Sequence, residues 1–319
     1  MPEWGSYFES KEEAGKSTIF EFKNEIGHVF YQFILREIPT GYGKTKHYDI
    51  ITPYGFSGPI ILHCEPDQKK ELAKIFNDKF QIYCEENNII TEYVRFNPWI
   101  QNLDNCNHIY ELRNNGHTVY IDLTVNDFFM NEFSAKTRTQ VRKAKKKNIE
   151  IEFDYSGFST KEFHRLYQLM AKKNNVDNEY YLFSEEFLKN SFEDLTGKQF
   201  FVNAIYEGEY ISSSLVVHHG DYMHYHLTAN NPEYYHLAAN SLILYEACRW
   251  GTENGKKEIH LGGGTSEIIK FKKGFTKTEP LDLLMGKKIR NQKIYDELVA
   301  FKRNTTDLLN TGFFPLYRG

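Results

Sequence analysis

The stretch FFVNAIYEGEYISSSLVVHHGDYMHYHLT, Phe200 to Thr228, holds three apolar runs separated by two short polar pairs. Glu207-Gly208 and Gly220-Asp221 fit two-residue hairpin turns, so the stretch predicts an antiparallel meander of three strands. After it, Ala238–Asn254 has apolar residues at helical spacing and Glu258–Gly262 is strand-like. A strand, a helix and a strand of these lengths predict a parallel crossover beside the meander.

The same order of elements occurs earlier in the chain. Strand-like runs precede Pro66, an amphipathic helix is predicted from Pro66 to about Asn87, and Ile89–Phe96 is again strand-like. We therefore expect an α/β protein of two similar tandem domains, each with a mixed sheet and flanking helices. The domains are placed at residues 1–152 and 153–319, and the last stretch of about 15 residues is a candidate to return to the first domain.

Serines mark the predicted starts of two helices between these blocks. Ser134 is a candidate cap, and Ser159 with Glu162 has the spacing of a capping box. The helix after Ser134 is basic, because residues 136–147 hold seven cationic side chains, Arg138 among them, and no acid. Such a segment attracts phosphates, although a solvated helix face is the commoner reason for a run of charges.

The composition limits the partners and the location of the protein. The chain has 319 residues, a formal net charge of −4 and four cysteines, none of them in a C-x-x-C pair. A negative net charge gives no chain-wide field for nucleic acid, so we expect no DNA binding, and any polyanion must be bound locally. No apolar run has the length of a membrane span or the setting of a signal peptide, which favours a cytoplasmic protein.

Two glycine-containing loops follow predicted strands and are candidate binding sites. In the first, TPYGF, Tyr54 offers a ring and a hydroxyl to a sugar or peptide, and Gly55 allows a positive φ. Arg95 on the next strand is a candidate for bidentate contact with a phosphate or carboxylate. A simple turn and an ion pair with a surface glutamate are the alternatives. The second loop, LGGGTSEIIKFKKGF, begins at Leu261, and no helix is predicted to open after its glycines.

Two histidines lie on one face of the third meander strand. His224 and His226 are two residues apart, and no carboxylate or cysteine at useful spacing completes a zinc site, so we expect no metal. Either histidine is a candidate to relay a proton, as are water and a substrate phosphate.

The order of the motifs resembles the FemABX-like family of tandem GNAT acyltransferases. The resemblance rests on YDIITPYGFSGP, TEYVRFNP, SAKTRTQVRKAKKKNIEI, HLTANN with LAANSLILYEA, EIHLGGG, FKKGF and FFPLYR. It implies transfer of an acyl or aminoacyl group to an amine, and familiar members extend the peptide of a cell-wall precursor from aminoacyl-tRNA. This chain lacks the coiled-coil insertion of some members, which favours the compact members that act on soluble, nucleotide-linked precursors.

The resemblance also implies roles for individual residues. Acyl transfer needs a positive or hydrogen-bonding group where the oxyanion develops, and the candidate is Lys272 in the pentad FKKGF. Phe271 and Phe275 are expected as buried anchors, and Gly274 as the residue that permits an abrupt turn. The donor is expected at the start of the crossover helix and at the pentad, on Ala238, Ala239, Asn240, Ser241 and Phe271. A plain helix cap by Asn240 or Ser241 is the alternative. The acceptor is assigned to Tyr54, Gly55, Arg95 and Arg138.

The expected function is therefore that of an N-acyltransferase without a tightly bound cofactor. It would transfer an acyl, more specifically an aminoacyl, group to an amine of a peptidoglycan or surface-polysaccharide precursor, with aminoacyl-tRNA or acyl-CoA as donor. The Gln/Arg-x-x-Gly-x-Gly/Ala pattern of coenzyme A binders is missing near Ala238, which weighs against acyl-CoA. The alternatives are an acetyl-CoA-dependent N-acetyltransferase of an amino sugar and a non-catalytic GNAT pair that binds a glycan or nucleotide precursor.

Overall fold

The computed structural model describes residues 15–39, 43–53, 55–100, 102, 108–175, 182–305 and 312–319. The chain divides into two compact units. The first unit comprises residues 1–116 and 282–319, and the second unit comprises residues 117–281. Within the described residues, no helix combines the length and the apolar character that crossing a membrane requires.

The first unit is a mixed sheet covered by a long helix. Its strands in chain order are β1 (Lys16–Lys23), β2 (Gly27–Glu37), β3 (Tyr48–Ile51), β4 (Ile60–Cys64) and β5 (Ile89–Arg95). They are arranged as β1-β2-β3-β5, with β4 paired to β2. A 3-10 turn at Pro66–Gln68 leads into α1 (Lys69–Glu86), where Leu72, Phe76 and Phe80 recur at helical spacing and pack on the sheet.

The second unit contains the predicted meander. Its elements in chain order are β6 (Glu111–Asp122, from residue 117), α2 (Phe128–Asn131), α3 (Ala135–Lys145), β7 (Glu150–Asp154), α4 (Thr160–Lys173), α5 (Glu185–Asp194), β8 (Gln199–Tyr206), β9 (Glu209–His219), β10 (Tyr222–Asn230), α6 (Ala239–Glu253), β11 (Glu258–Gly262) and α7 (Ser266–Lys272). The sheet order is β6-β11-β10-β9-β8-β7. Apolar residues of α6, such as Leu242 and Ile243, pack with Phe200 and Val202 of β8 in the core.

Relative to the expected division at residue 152, each sheet contains a strand from the other part of the sequence. β12 (Leu281–Ile289) follows the second meander and crossover, yet it pairs antiparallel with β5 of the first unit. The second half of β6 follows the first crossover, yet it pairs with β11 of the second unit. The partition therefore differs from the division at residue 152, because residues 117–152 group with the second unit and residues 282–319 with the first.

The C-terminal segment packs within the first unit. β12 is followed by α8 (Gln292–Thr305) and by a 3-10 turn at Leu316–Arg318. The hydroxyl of Tyr317 and the guanidinium of Arg318 both donate hydrogen bonds to Asp49 on β3. The end of the sequence is thus anchored on a buried carboxylate of the first unit.

Most of the predicted elements are present in the described residues. The meander, its two tight turns, the crossover helix and the strand Glu258–Gly262 are confirmed, with positive φ at Glu207, Gly208 and Gly220. Two local predictions are wrong. Ser159 does not cap α4, because its hydroxyl donates instead to Asp154 at 2.8 Å.

The second correction concerns the segment after the LGGG glycines. A helix does open there, α7, because the side chain of Thr265 accepts a hydrogen bond from the main-chain N–H of Ile268 and so caps its first turn. Lys272 is therefore the last residue of a short helix rather than part of a loop.

Candidate functional site

The parallel strands β10 and β11 are paired over a short distance only. The register runs from Tyr222 opposite Glu258 to His224 opposite His260. Further along, β10 continues to Asn230 paired with β9, whereas β11 continues to its end paired with β6. In the continuously described stretch 182–305, the two strands are thus no longer bonded to each other beyond the histidine pair, and α6 begins shortly after β10 ends.

His224 and His260 face each other across the last residue pair. Their Nδ1 atoms lie 3.2 Å apart, and their rings are nearly parallel with centroids 5.2 Å apart. The pKa of His224 is lowered to about 4, chiefly by burial and then by the charge of Lys272, against a hydrogen bond to the main chain of His260. Burial also holds the pKa of His260 well below its ordinary value. Both rings are therefore neutral at pH 7.

His226 lies at an irregularity of β10. The register with β9 shifts between Tyr225 and Leu227, so His226 is the extra residue of a bulge. Its ring centroid lies 5.5 Å from that of His224, and burial lowers its pKa well below the ordinary value. A buried imidazole with a lowered pKa stays neutral at pH 7 and can accept a hydrogen bond there. The relay role of His224 or His226 stays a prediction.

Metal binding finds no support in the part of the chain that the structure describes. There, no group of three or more histidine, cysteine, aspartate or glutamate side chains has an arrangement that holds a metal ion.

Lys272 is held near this histidine pair by a main-chain carbonyl. Its Nζ donates a hydrogen bond of 2.6 Å to the carbonyl oxygen of Gly263. A Cβ atom built on Gly262 would lie 3.8 Å from both Lys272 Nζ and His224 Cε1, so the amine and the imidazole approach the same glycine. Burial lowers the pKa of Lys272 to about 8. The side chain is therefore mainly an ammonium at pH 7, in surroundings where its charge acts strongly.

The aromatic pair of the pentad is divided between core and surface. Phe275 is buried against Phe133, with ring centroids 5.0 Å apart. Phe271 is 37% exposed, so the expectation that both rings are buried anchors is wrong for this residue. Its ring lies at 63° to that of Phe275, with centroids 5.1 Å apart.

Gly274 is required for a close approach rather than for a positive φ. A Cβ atom at this position would lie 2.7 Å from Oγ1 of Thr137, and the carbonyl of Gly274 accepts a hydrogen bond from the N–H of Ser134. The pentad is thereby fixed against the first turn of α3, which holds Lys272 in place.

The start of α6 carries the predicted donor-binding residues. Ala238 has a left-handed backbone with φ 56°, and Ala239 and Ser241 are buried. The Asn240 Oδ1 accepts a hydrogen bond of 2.7 Å from the hydroxyl of Tyr225 on β10. The Asn240 side chain therefore anchors the helix to the sheet. The N–H of Ser241 donates to the carbonyl of Ala238, so the N–H groups of Ala239 and Asn240 are the ones that this turn can offer an anion.

Arg95 is hydrogen-bonded to the loop that follows β3. Its Nη1 donates to the main-chain carbonyls of Thr52 at 2.6 Å and Pro53 at 3.4 Å. Gly55 has φ 96°, as the loop prediction requires, and Tyr54 lies outside the described residues. Arg95 therefore shapes the loop directly, while acceptor binding by this group stays a prediction.

Arg138 is also engaged with the main chain. Its Nη1 donates to the carbonyls of Met130, at 3.1 Å, and Phe133, so it braces the turn before α3. Arg142 and Lys145 of the same helix lie over aromatic rings. Part of the basic run is thus bound by the protein itself, and acceptor binding by Arg138 stays a prediction.

His260 and Tyr225 were not among the residues predicted from the sequence. A signal existed for His260, since EIHLG is a short strand in which a polar ring lies between Ile259 and Leu261. In a parallel strand buried on both faces such a ring needs a partner. No sequence pattern indicated that this partner is His224, because the contact depends on the pairing of two strands that α6 separates.

Comparisons with known proteins agree with this architecture. A family model described as Acetyltransferase (GNAT) domain matches residues 133–273. No curated protein matches the chain in sequence. Among solved structures, FemX is similar with a TM-score of 0.71 and 14% identity, over 93% of this chain and 93% of that chain.

Two further structures share the fold. The C-terminal domain (DUF2156) of a putative lysylphosphatidylglycerol synthetase from Agrobacterium fabrum has a TM-score of 0.56 and 11% identity, over 91% of this chain and 89% of that chain. L-PGS from Bacillus licheniformis has a TM-score of 0.50 and 12% identity, over 90% of this chain and 92% of that chain. At these identities the likeness is one of fold.

The chain therefore has the tandem GNAT fold, and the resemblance to FemABX-like proteins is confirmed at the level of the fold. The stretch that matches the GNAT domain contains the histidine pair, the start of α6 and Lys272. This match indicates the acyltransferase class for the second unit.

Proposed function

We propose that this tandem GNAT-fold chain is an N-acyltransferase that moves an acyl group, more specifically an aminoacyl group, to an amine of a cell-envelope precursor. The observation that carries the proposal is the placement of Lys272. Its ammonium is held by the carbonyl of Gly263, has a pKa of about 8, and lies close to the point where β10 and β11 cease to pair.

The chemistry follows from that placement. The lone pair of a neutral amine attacks the carbonyl carbon of the donor, and the C=O electron pair moves to oxygen. The ammonium of Lys272 donates a hydrogen bond to this oxyanion, whose charge it stabilises more strongly in a partly desolvated site than in water. Collapse of the adduct expels the leaving oxygen or sulfur, which takes up the proton that the amine loses.

The donor is assigned to the start of α6 and to the adjoining edge of β10. A helix N-terminus attracts the phosphates of a nucleotide or of coenzyme A, and Ala238 and Ala239 are small enough to let a ligand approach the main chain. Asn240 and Ser241 supply the next polar groups of the same turn. Phe271 adds an exposed ring beside Lys272 on which an adenine or an acyl chain can rest.

Two kinds of donor fit this arrangement. One structural neighbour is named as a putative lysylphosphatidylglycerol synthetase. Lysylphosphatidylglycerol contains an aminoacyl group, which supports an aminoacyl donor. The GNAT domain match supports acyl-CoA instead. Cell-envelope precursors with a free amine, either a peptide or an amino sugar, are the proposed acceptors, with Gly55, Arg95 and Arg138 as candidate contacts.

The test is a product assay by mass spectrometry. The protein is incubated with charged tRNA or acetyl-CoA and with peptidoglycan precursors or nucleotide-linked amino sugars. Acylated acceptor with loss of charged tRNA supports the proposal, and acylated acceptor with release of coenzyme A assigns the alternative donor. Binding of a precursor without any product from either donor would overturn the enzymatic assignment.

Variants of the pentad test the role of Lys272. Lys272→Met is expected to lower kcat by on the order of tenfold or more, since it removes an oxyanion donor. Lys273→Met is the matched control, because Lys273 is the exposed neighbour of Lys272 and carries the same charge. The kcat of this variant is expected to stay within about twofold of the wild-type value. Equal kcat values for the two variants would remove Lys272 from the reaction.

A pH profile gives a second readout of the same residue. The ammonium of Lys272 is lost as the pH rises through about 8, so a Lys272-dependent kcat falls in that range. Lys272→Arg keeps a charged donor there and is expected to shift this fall to higher pH. An unchanged alkaline limb in Lys272→Arg contradicts the assignment of that ionisation to Lys272.

A further inference from the structure

His260 is a fully buried histidine whose ring contacts that of another histidine, His224. It lies in the middle of β11, opposite Tyr120 on one side and His224 on the other. The two Nδ1 atoms are separated by 3.2 Å, a hydrogen-bonding distance that requires a proton between them.

Two neutral rings can share this contact in only one way at a time. A neutral imidazole carries a proton on one nitrogen and a lone pair on the other, so one Nδ1 donates while the facing Nδ1 accepts. The rings therefore hold complementary tautomers: the donor ring has a bare Nε2, and the acceptor ring has a protonated Nε2. Both rings stay neutral because of burial and of the nearby charge of Lys272.

The ring of His224 also has a partner in the main chain of His260. The ring of His224 makes a hydrogen bond to that main chain which stabilises its protonated form, and a main-chain carbonyl can only accept. His224 is thus a ring that donates toward His260. Nδ1 is the nitrogen of His224 that lies 3.2 Å from Nδ1 of His260, and a proton placed there would leave Nε2 of His224 as an acceptor.

We propose that His260 is a positioning residue that keeps the proton of His224 on Nδ1 and so presents the bare Nε2 of His224 to the attacking amine. The inference rests on the proposed function. The Nε2 lone pair accepts a hydrogen bond from an amine N–H and directs the amine's own lone pair at the donor carbonyl. The amine proton passes along this contact and ends on the leaving oxygen or sulfur, so that His224 is neutral before and after the transfer.

The position of the pair supports this role over that of an ordinary core contact. The pair occupies the last bonded position between β10 and β11, and the His224 ring approaches the same glycine as the Lys272 amine. A hydrogen-bond acceptor for the amine and a cationic donor for the oxyanion are the two groups that acyl transfer to an amine needs close together.

The first experiment reads the tautomer without any substrate. Long-range nitrogen–proton NMR spectra of the ¹⁵N-histidine-labelled protein at pH 7 distinguish a bare from a protonated imidazole nitrogen. We expect a bare Nε2 on His224 and a protonated Nε2 on His260. A protonated Nε2 on His224 overturns the proposal whatever the activity of the protein.

The second experiment uses two replacements of His260. His260→Asn keeps an acceptor oxygen near the place of Nδ1, and kcat is expected to stay within about threefold of the wild-type value, with His224 still protonated on Nδ1. His260→Leu removes the acceptor, so His224 is expected to populate both tautomers and kcat to fall on the order of tenfold, with KM for the donor unchanged. Equal kcat values for His260→Leu and the wild type overturn the proposal.

The control is His218→Leu, which alters a half-buried histidine of β9 in the same sheet that packs against Trp250. It is expected to leave the His224 tautomer and kcat unchanged, and a loss equal to that of His260→Leu would assign both effects to packing, against the proposal. The NMR result also separates two failures. A protein inactive with every donor but with the expected tautomer refutes the proposed function and leaves the positioning of His224 by His260 intact.

Discussion

The two parallel strand pairs of the molecule share a topology and differ in how they end. In the first unit, β3 and β5 pair from Tyr48 opposite Ile89 onward, and the contact resumes at Ser57, whose N–H donates to the carbonyl of Arg95. In the second unit, the pairing of β10 with β11 stops at His224 and His260. The two parallel strands of the crossover therefore stay in contact beyond their paired residues in the first unit, whereas they separate after the histidine pair in the second unit.

The buried ionisable groups differ in the same way. In the first unit, Glu92 accepts hydrogen bonds from the hydroxyls of Tyr31 and Tyr110 at 2.8 and 2.7 Å, and it pairs with Arg290 at 2.6 Å. In the second unit, Lys272 is held by a carbonyl and faces neutral imidazoles. The buried charge is compensated at one crossover, whereas no described carboxylate pairs with Lys272 at the other, and use of this ammonium by a substrate stays a prediction.

The largest expected effect is on the stability of the first unit. Glu92→Leu leaves the buried guanidinium of Arg290 without its carboxylate, and we expect a loss of about 3–5 kcal/mol in the free energy of unfolding. Urea unfolding followed by circular dichroism measures it. The double variant Glu92→Leu/Arg290→Met is the control and is expected to recover part of the loss. A Glu92→Leu protein as stable as the wild type would contradict the view that the buried charge of Arg290 depends on Glu92.

An effect of opposite sign is expected at Lys272. Its pKa is about 8 in the folded chain against an ordinary 10.5, so the folded state binds fewer protons than the unfolded state between these values. The cost of burying the ammonium is full below pH 8 and disappears as the pH rises toward 10.5. Lys272→Met is therefore expected to be more stable than the wild type by about 1–2 kcal/mol at pH 7.

The measurement is the midpoint of urea unfolding at several pH values. The difference between Lys272→Met and the wild type should shrink across pH 8 to 10.5, because only the wild type gains stability there. A Lys272→Met protein less stable than the wild type at pH 7 shows that this lysine is a structural residue, like Arg290, and makes the two crossovers alike.

The smallest effect is expected at the start of α6. Tyr225→Phe removes the hydroxyl that donates to Asn240 and accepts from Ser214 at 2.6 Å, and we expect a loss of about 1 kcal/mol in the free energy of unfolding. KM for the donor is expected to rise, since the first turn of α6 loses its anchor on β10. Tyr235→Phe, at an exposed ring nearby, is the matched control. Equal KM values for the donor in the two variants would show that the Tyr225 hydroxyl does not contribute to donor binding.

Local patterns in the sequence were sufficient for most of the elements, although not for α7, which carries Lys272. The alternation in Phe200–Thr228 and the two glycine-containing turns define the meander, because a period of two residues and a tight turn are properties of neighbouring residues. The partial burial of Lys272 agrees with its place in the pentad between Phe271 and Phe275. Its catalytic role stays a prediction.

Contacts between strands that lie far apart in the sequence were not predictable from local patterns. The exchange of β6 and β12 and the contact between His224 and His260 join segments that no period or spacing relates. Arg95 and Arg138 show the same limit on a smaller scale. Their residue type suggests anion binding, yet each donates to main-chain carbonyls that the fold happens to bring within reach.

The exchange of completing strands has a consequence for how the chain is made. β5 cannot pair with β12 until residues 281–289 have left the ribosome, although β1 to β5 all lie before residue 100. Until then the edge of β5 is open to the wrong strand, and contacts of such long sequence separation form slowly. Truncations before Leu281 should therefore give a protein that is prone to aggregation during translation rather than a smaller soluble domain.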